Sequence, residues 1–596
     1  MMKSKRLTWL IMSVLLLSMF SFNPFHVSAF NSEDDYPKYE MRAAWISTVT
    51  NIDLQPGMDE VEYRAWAEST IEELERKNFN AVIFQVKPTS DALYPSELAP
   101  WSKYITGEEQ GTDPGYDPLE IMLEITHDYG IELHAWINPY RVTMASDSLD
   151  DLHEDNIAVK HPEWVVHHGS QYYLDPGIPE VQDYLIETVE ELVEIYDVDA
   201  VHMDDYFYPG VDFDDEETYE EYGEEFDDIG DWRRDNVNEL VENINLSIKE
   251  MKSWVQFGIS PSGIWRNVSE DPTGSETNGQ GHYDALFADS RYWIQEELID
   301  YITPQIYWSR DLAIASYSVL LDWWSNETKD YDVNLYIGMA DYKVNNNFDE
   351  AWENPRELPE QILDNRSNDE VKGQMHFTLR DILANEIGYQ DIIQEEIYNK
   401  KALTPEIAWN GSAAPKQPAD VELIREAGGM TINIKHGDED ARKFAIYRSE
   451  VGETIDYHNP DNVVGIAYNE GDSVSFFDEE VDFEQLYAYG VTSLSKTGIE
   501  SIDATEVNEG NINQMKNRVD LLVDEGEIID TTTARMIDMH LTAIDHFAET
   551  GKEDKASKHM TNLTQMLGVM QDQELISDKA KSILHQYANY LLGGWQ

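Results

Sequence analysis

The segments RAAWISTV at 42–49, DEVEYRAWAESTIEELER at 59–76 and AVIFQV at 81–86 decide the fold of the first part of the chain. The outer two are short apolar runs typical of buried strands, and the middle one has apolar residues at helical spacing. A strand, a helix and a second strand in this order predict a β-α-β unit, whose two strands are parallel.

Eight apolar runs of this kind alternate with helical patterns and predict an α/β fold, a (β/α)8 barrel. A doubly wound sheet is the alternative, but WIST at 45–48 stands where that fold would have a glycine-rich phosphate loop. The predicted strands are 42–49, 81–86, 131–137, 200–203, 255–260, 301–307, 335–338 and 374–379.

The pattern of apolar and polar residues changes after residue 405. NGSAAPKQPA at 410–419 predicts a linker, and the short alternating runs that follow predict a β-sandwich, whose segment YAYGVTSL at 487–494 resembles a fibronectin type III module. Helical periodicity at the end resembles the C-terminal modules called FIMAH. We expect a barrel at 38–405 that keeps its activity alone, a protease-sensitive linker at 406–419, a sandwich at 420–507 and a helical module at 512–596.

Composition restricts the possible partners. Asp and Glu total 117 against 42 Lys and Arg, a net charge of -75, while 41% of the residues are hydrophobic. The apolar content suffices for folded domains, and a surface so negative repels phosphate backbones and anionic lipids. We therefore expect no nucleic-acid partner, and a protein adapted to high salt or alkaline surroundings.

The N-terminus has the features of a signal peptide. KSKR at 3–6 precedes an apolar run at 7–22, and VSA at 27–29 has the small residues of a cleavage site. A retained anchor is the alternative, but the run is short for a membrane span. We expect removal of residues 1–29, secretion and no membrane insertion afterwards. Because the chain contains no cysteine, disulfides and thiolate chemistry are excluded.

Polar residues on the predicted strands indicate where the chemistry lies. Strands buried on both faces are normally almost wholly apolar, yet five of these strands carry polar side chains on one parity, gathered towards their C-terminal ends. Active sites of (β/α)8 barrels form at that end, although a hydrogen-bonded polar core layer is the alternative for any single residue. The residues are Gln85, Lys87, His134, Trp136, Asn138, His202, Asp204, Thr303, Gln305, Tyr307, Gln374 and His376.

The segment HMDDYFYP at 202–209 gives the strongest indication of catalytic residues. Repulsion between adjacent carboxylates raises the pKa of one, so that Asp204 and Asp205 can divide into one ionised group and one protonated acid. General acid catalysis needs that division. The structural alternative is a helix cap by one aspartate and an ion pair from the other to Arg141 or Arg266.

Aromatic residues at the predicted strand ends suggest the substrate class. Flat apolar faces with polar edges suit stacking against sugar rings, and beside carboxylates and amides they favour a carbohydrate. The predicted substrate-binding residues are Lys87, Trp136, Asn138, Tyr140, Arg141, His202, Tyr206, Tyr208, Gln305, Tyr307, Trp308, Asp341 and His376.

No cofactor or metal site is predicted. His161, His167 and His168 do not match the paired ligands of a metal-dependent polysaccharide deacetylase. The acidic run at 212–225 lacks the glycine and the oxygen spacing of an EF-hand loop, so a solvated acidic surface is expected there.

Six motifs resemble the glycoside-hydrolase-like family 10, formerly a domain of unknown function. The resemblance covers about residues 38–405 and implies a bacterial envelope glycosidase, extracellular or associated with the cell wall. It further suggests peptidoglycan glycan as the substrate, with strands stripped of their peptides as a candidate. The motifs are MRAAWI at 41–46, FQVKP at 84–88 followed by DALYPS at 91–96, HAWINPYR at 134–141, HMDDYFYP at 202–209, GISPSGIW at 258–265 and PQIYW at 304–308.

The residues narrow the mechanism without deciding it. No glutamate stands at the ends of the fourth and seventh strands, and the 2-acetamido group of a peptidoglycan sugar can itself attack the anomeric carbon. We therefore expect substrate-assisted retention by the Asp204–Asp205 pair. The competing mechanism pairs either aspartate with Asp91 or Asp341. The alternative functions are a non-catalytic wall-binding protein and a polysaccharide deacetylase.

Overall fold

The computed structural model describes residues 36–145, 147–469 and 471–595, and the predicted signal peptide lies outside them. The described residues from Lys38 onward form one compact unit. Within the described ranges, no helix is long and apolar enough to cross a membrane.

Eight parallel strands close into a barrel, which confirms the predicted fold class. Their order is β1-β10-β9-β8-β7-β6-β3-β2, and the hairpin β4–β5 lies between β3 and β6 in the chain. The bounds of these strands are β1 (Met41–Ile46), β2 (Ala81–Lys87), β3 (Glu132–Ile137), β4 (Val165–His168), β5 (Gln171–Leu174), β6 (Ala200–Met203), β7 (Gln256–Ile259), β8 (Tyr301–Ile302), β9 (Asn334–Met339) and β10 (Val371–His376).

Helices surround the barrel strands, and the first of them shows why they form. Helix Glu60–Arg76 begins with a capping box, in which Asp59 accepts from the Glu62 N–H and Glu62 accepts from the Asp59 N–H. Its buried face is made by Tyr63, Ala67, Thr70, Ile71 and Leu74, spaced to fall on one side. The other helices of this region are Lys103–Thr106, Pro118–Asp128, Ile157–Lys160, Pro179–Ile195, Glu216–Tyr222, Ile229–Met251, His282–Ala285, Ser290–Gln295, Tyr317–Thr328, Glu357–Arg366, Leu379–Ala384 and Tyr389–Ile392.

Strand β8 is shorter than the predicted strand at 301–307. Pro304 has no N–H to donate to a neighbouring strand, so the regular ladder stops at Ile302. The chain continues beside its neighbours through isolated bridges from Gln305 to Ser262 and to Gly338. Gln305 is thereby held at the C-terminal end of the barrel.

The rest of the chain forms two sheets and a helical region. The sheets, β11-β12-β15 and β14-β13-β16-β17, share one hydrophobic core, and the helices have a second core of their own. The strands are β11 (Asp420–Arg425), β12 (Met430–Lys435), β13 (Ala441–Glu450), β14 (Val463–Tyr468), β15 (Ser473–Asp478), β16 (Tyr487–Ser495) and β17 (Thr505–Asn508). The helices are Ile512–Asp524, Thr531–Glu549, Glu553–Asp572 and Asp578–Gly594.

The sandwich packs against the N-terminal end of the barrel. Lys443 of β13 reaches Glu132, the first residue of β3, with its Nζ 2.5 Å from a carboxylate oxygen. The Tyr468 ring stacks on His127 with ring centroids 3.9 Å apart. These contacts join the barrel to the sandwich, and the activity of the isolated barrel stays a prediction.

Candidate active site

A cavity of about 390 Å³ opens at the C-terminal end of the barrel. Its walls combine aromatic rings with carboxylates, amides and one guanidinium, the composition expected of a site for a polar ring. The lining residues are Trp45, Ser47, Val49, Thr50, Ile52, Gln85, Trp136, Arg141, Met144, Asp204, Asp205, Tyr206, Ser260, Gln305, Tyr307, Tyr342 and Phe377.

Asp204 and Asp205 enter this cavity directly after β6 ends at Met203. Asp204 is 4% exposed, and its Oδ2 accepts from Asn138 Nδ2 at 2.6 Å while its Oδ1 accepts from the Tyr206 N–H at 3.3 Å. In the part of the chain that the structure describes, neither aspartate forms an ion pair.

The two carboxyl groups differ electrostatically. Burial raises the pKa of Asp204, while Arg141 and the Asn138 hydrogen bond oppose the rise. Burial, followed by the charge of Asp204, raises the pKa of Asp205 to about 7. Asp205 is therefore the group that keeps its proton near neutral pH, and Asp204 is the better-supported anion.

Arg141 places a cation at the same cavity. It is 4% exposed, its guanidinium lies 4.0 Å from the centroid of the Tyr206 ring, and its Nε has no hydrogen-bond partner among the residues that the structure describes. Trp136 Nε1, on the same cavity wall, is also buried; it lies near enough to the Asp204 carboxylate to lower that group's pKa, but it forms no hydrogen bond of normal geometry with a described residue. Buried donors are normally satisfied, so these two groups are suited to donating hydrogen bonds to oxygen atoms of a ligand.

The structure brings six of the predicted catalytic and substrate-binding residues to the cavity beside Asp205. They are Trp136, Arg141, Asp204, Tyr206, Gln305 and Tyr307. Gln305 donates from Nε2 to the Ser260 carbonyl at 2.8 Å, which orients its amide. Asn138 does not line the cavity and contacts it through Asp204.

Seven other predicted residues are not brought to the cavity: Lys87, Tyr140, His202, Tyr208, Trp308, Asp341 and His376. His202 lies inside the barrel, where its ring nitrogens are 3.0 Å from Tyr301 Oη and Ser260 Oγ. His376 is 3.0 Å from Asp341 in a separate buried cluster. Strand parity gives the side of the strand on which a residue lies but not its depth along the barrel, and this is why His202 and His376 lie away from the cavity despite sharing the pattern.

The carboxylates proposed as second partners also lie elsewhere. Asp91 is buried, and it accepts from Thr89 Oγ1 at 2.7 Å and from Gln110 Nε2 at 3.1 Å. Asp341 is bound to His376 and Tyr389. Neither lines the cavity, so the structure does not bring together the pairs that the competing mechanism needs.

Several cavity residues were not predicted. Ser260, Tyr342 and Phe377 follow or end the barrel strands, and Ser47, Val49, Thr50 and Ile52 lie at or after the end of β1. Ser260 ends a predicted strand and could have been found by its position there. Ser47, Val49 and Phe377 also lie within predicted strands, whereas Thr50, Ile52 and Tyr342 lie beyond them, where periodicity gives no signal. Within the described residues, no three His, Asp or Glu side chains are grouped to hold a metal ion.

Two protein-family models and several known proteins match this sequence. The family model described as glycosyl hydrolase-like 10 matches residues 40–354, and the FIMAH domain model matches residues 512–593. The chain is 46% identical over 475 residues to "Glycosyl hydrolase YngK" of Bacillus subtilis, covering 78% of this chain and 92% of that protein. It is 42% identical over 325 residues to "Glycosyl hydrolase DigH" of Escherichia coli K12, covering 51% of this chain and 74% of that protein.

One solved structure to which the chain is similar is the glycoside hydrolase domain of PgaB (BpsB) from Bordetella bronchiseptica. The identity is 11% and the TM-score 0.39, over 60% of this chain and 98% of that one. This likeness is too low to support any statement about the site.

Proposed function

The chain belongs to the glycosyl hydrolase-like 10 family, and from this premise we propose that it hydrolyses cell-wall glycan by acid catalysis at Asp204 and Asp205. The observation that carries the proposal is the position of two adjacent carboxylates, Asp204 buried and Asp205 half-buried, in the cavity at the C-terminal end of the barrel, where neither is ion-paired to a described residue. Carboxylates withdrawn from water without an ion pair are costly to a fold and are typical of catalytic sites.

The contacts of the two aspartates support different roles. Asp205, whose pKa is raised to about 7, donates its proton to the glycosidic oxygen as the bond to the anomeric carbon breaks. Asp204 is the anion, and it has lone pairs left after the bonds from Asn138 and Tyr206. It accepts the N–H of the substrate's 2-acetamido group and directs that group's carbonyl oxygen to the anomeric carbon.

The second half of the reaction reverses the proton transfer. Attack by the acetamide oxygen forms a cyclic oxazolinium and releases the leaving sugar as an alcohol. Asp205, now ionised, takes a proton from water as the water attacks the same carbon and reopens the ring, giving a product with retained configuration. A thiazoline mimic of the cyclic intermediate should inhibit, because it resembles the strained intermediate and not the ground-state sugar.

Arg141 supports an anionic strand as the substrate. Muramic acid carries a lactyl carboxylate that becomes free when the peptide is removed, and this group needs a counter-charge. Arg266 is already paired with Asp271 and Asp284, and Lys87 does not line the cavity. Arg141, buried at the cavity with an unpartnered Nε, is the cation that fits a carboxylate there.

We further propose that the protein is secreted and acts outside the cytoplasm, on the basis of the signal-peptide pattern in residues 1–29. Cell-wall glycan would then be within its reach. The fibronectin III-like character of residues 420–507 stays a prediction.

The test is incubation of the full chain with intact peptidoglycan, with peptide-free strands and with neutral N-acetylglucosamine oligomers, followed by mass spectrometry of new reducing ends. Release from peptide-free strands is the expected result, and proton NMR of fresh product should show retained configuration. Binding of strands without any new reducing end would overturn the proposal in favour of a non-catalytic wall-binding protein. Inverted product would overturn the substrate-assisted mechanism alone.

A further inference from the structure

The side chain of Gln85 is fixed in one orientation by backbone groups beneath the cavity. It belongs to β2, has no exposed surface, and its Oε1 accepts from the N–H groups of Thr48 at 3.0 Å and Val49 at 2.9 Å. A backbone N–H can only donate, so the atom that faces these two groups must be the amide oxygen. The nitrogen of Gln85 therefore points the other way.

That nitrogen fixes a second amide. Gln85 Nε2 donates to Asn138 Oδ1 at 2.6 Å, and Asn138 is also fully buried. Because an amide nitrogen can only donate, Asn138 must present its oxygen to Gln85 and its nitrogen to Asp204, where Nδ2 is 2.6 Å from Oδ2. The backbone N–H groups of Thr48 and Val49, after β1, thus determine that the Asn138 amide presents its nitrogen to Asp204, after β6.

We infer that Gln85 is a positioning residue, which acts through Asn138 to keep a hydrogen-bond donor on Asp204 and so leaves the proton of the aspartate pair on Asp205. The inference rests on the proposed function. If the Asn138 amide were reversed, its oxygen would face Asp204, and only a protonated Asp204 could satisfy that contact. The proton would then sit on the aspartate that orients the acetamide, and Asp205 would be the anion.

Gln85 borders the cavity, but both ends of its amide are engaged within the protein, which leaves neither free to bind the substrate. Its oxygen faces the donors of Ser47, Thr48 and Val49, its nitrogen faces Asn138, and no part of it is exposed. Loss of its side chain should therefore alter turnover and protonation more than substrate affinity.

The test is Gln85→Met in the full chain, which keeps the approximate shape but removes the oriented amide. We expect kcat on peptide-free strands to fall at least about tenfold with KM little changed, part of the about hundredfold or more that positioned acid catalysis supplies. We expect the acid limb of the pH profile to move to higher pH, because Asp204 loses its donor whenever Asn138 turns over. Gln374→Met is the matched control, since Gln374 is an equally buried glutamine of β10 that donates to Tyr398.

A double-mutant cycle separates positioning from packing. If Gln85 acts through Asn138, Gln85→Met should have almost no further effect on kcat in an Asn138→Leu background. Additive effects, an unmoved acid limb, or an equal loss in Gln374→Met would overturn the inference while wild-type hydrolysis still supports the function. Absence of hydrolysis by the wild-type chain would overturn the proposed function and this inference with it.

Gln85→Glu covers the case in which Gln85→Met melts below the assay temperature. A protonated glutamic acid keeps a donor towards Asn138 and the ionised form does not. Turnover of Gln85→Glu that is close to wild type at low pH, and that declines with rising pH at a lower pH than wild-type turnover does, would support the positioning role. A pH profile that matches the wild type would overturn it.

Discussion

Both ends of the barrel contain ionisable groups withdrawn from water, but these groups form ion pairs at the N-terminal end and none at the C-terminal end among the described residues. At the N-terminal end, Glu132 is paired with Lys443 at 2.5 Å, and Glu40 is paired with both Arg42 and Arg366 at 2.7 Å. At the C-terminal end, Asp204, Asp205 and Arg141 share a cavity without an ion pair between any of the described residues and these three.

The pKa values follow this difference. Burial raises the pKa of Glu40, but Arg366 and Arg42 outweigh it and bring the pKa to about 2. Lys443 and His134 outweigh burial at Glu132 in the same way and also bring its pKa to about 2. Burial and the neighbouring Asp204 instead raise the pKa of Asp205 to about 7. Burial alone therefore does not mark a catalytic carboxylate; what distinguishes Asp204 and Asp205 is that two adjacent carboxylates without an ion pair lie at a cavity.

The largest effect on stability is expected at the paired end. Lys443→Met leaves the Glu132 carboxylate buried without its cation, which should lower the free energy of unfolding by about 3–5 kcal/mol. Denaturant unfolding measures this change. Lys496→Met, which removes an exposed cation of the same sandwich that lies over Trp254, is the control and should change stability by less than about 1 kcal/mol. Equal stability of the two variants would show that the Glu132–Lys443 pair does not hold the two domains together.

The two ends should also respond differently to pH. Because the folded pKa of Asp205 is raised, its contribution to stability is fully present below its unfolded pKa of about 3.9 and is lost as the pH rises through about 7. The depressed pKa of Glu132 has the opposite sign, since its contribution is present above the unfolded value and is lost as the pH falls towards about 2. Melting curves from pH 4 to 8 should show a declining component that is absent in Asp205→Asn, and an unchanged decline in that variant would contradict the pKa assignment.

Arg141 gives a smaller, charge-specific test of the unpaired end. Chemical reduction of the lactyl carboxylates to alcohols removes the charge that Arg141 is proposed to bind. Wild-type kcat/KM should fall roughly tenfold on reduced strands, the low end for a hydrogen bond to a charged group. Arg141→Gln should lose this preference and handle both substrates alike. A wild type that does not distinguish them would remove Arg141 from substrate recognition.

The smallest effect concerns the charges outside both ends. A net charge of -75 produces self-repulsion that salt screens, since the Debye length falls from about 8 Å at physiological ionic strength to about 3 Å at 1 M. The melting temperature should rise over that range, while Lys443→Met should keep most of its deficit because buried pairs are screened less. A melting temperature that stays flat or falls would contradict the prediction of salt adaptation.

Sequence periodicity was sufficient for the barrel but not for the depth of each residue within it. The adjacent pair Asp204–Asp205 was predictable because two charges cannot follow a buried strand without a reason, and the cavity does contain them. His202 and His376 share the pattern of the cavity residues yet form hydrogen bonds inside the barrel. Alternation along a strand predicts the face on which a side chain lies but not its position along the barrel axis. Lys443 was not predictable, since its partner Glu132 lies 311 positions away in the chain.

The most direct test of this contrast is the same chemical change, carboxyl to amide, made once at each end. Turnover on peptide-free strands and melting temperature would be measured for Asp205→Asn, with Asp204→Asn beside it, and for Glu132→Gln. We expect both aspartate variants to lose at least about a hundredfold in turnover without melting lower, and Glu132→Gln to melt lower while keeping its turnover per folded molecule. Full turnover in the aspartate variants, with turnover lost in a folded Glu132→Gln, would contradict the assignment of the active site to the unpaired end.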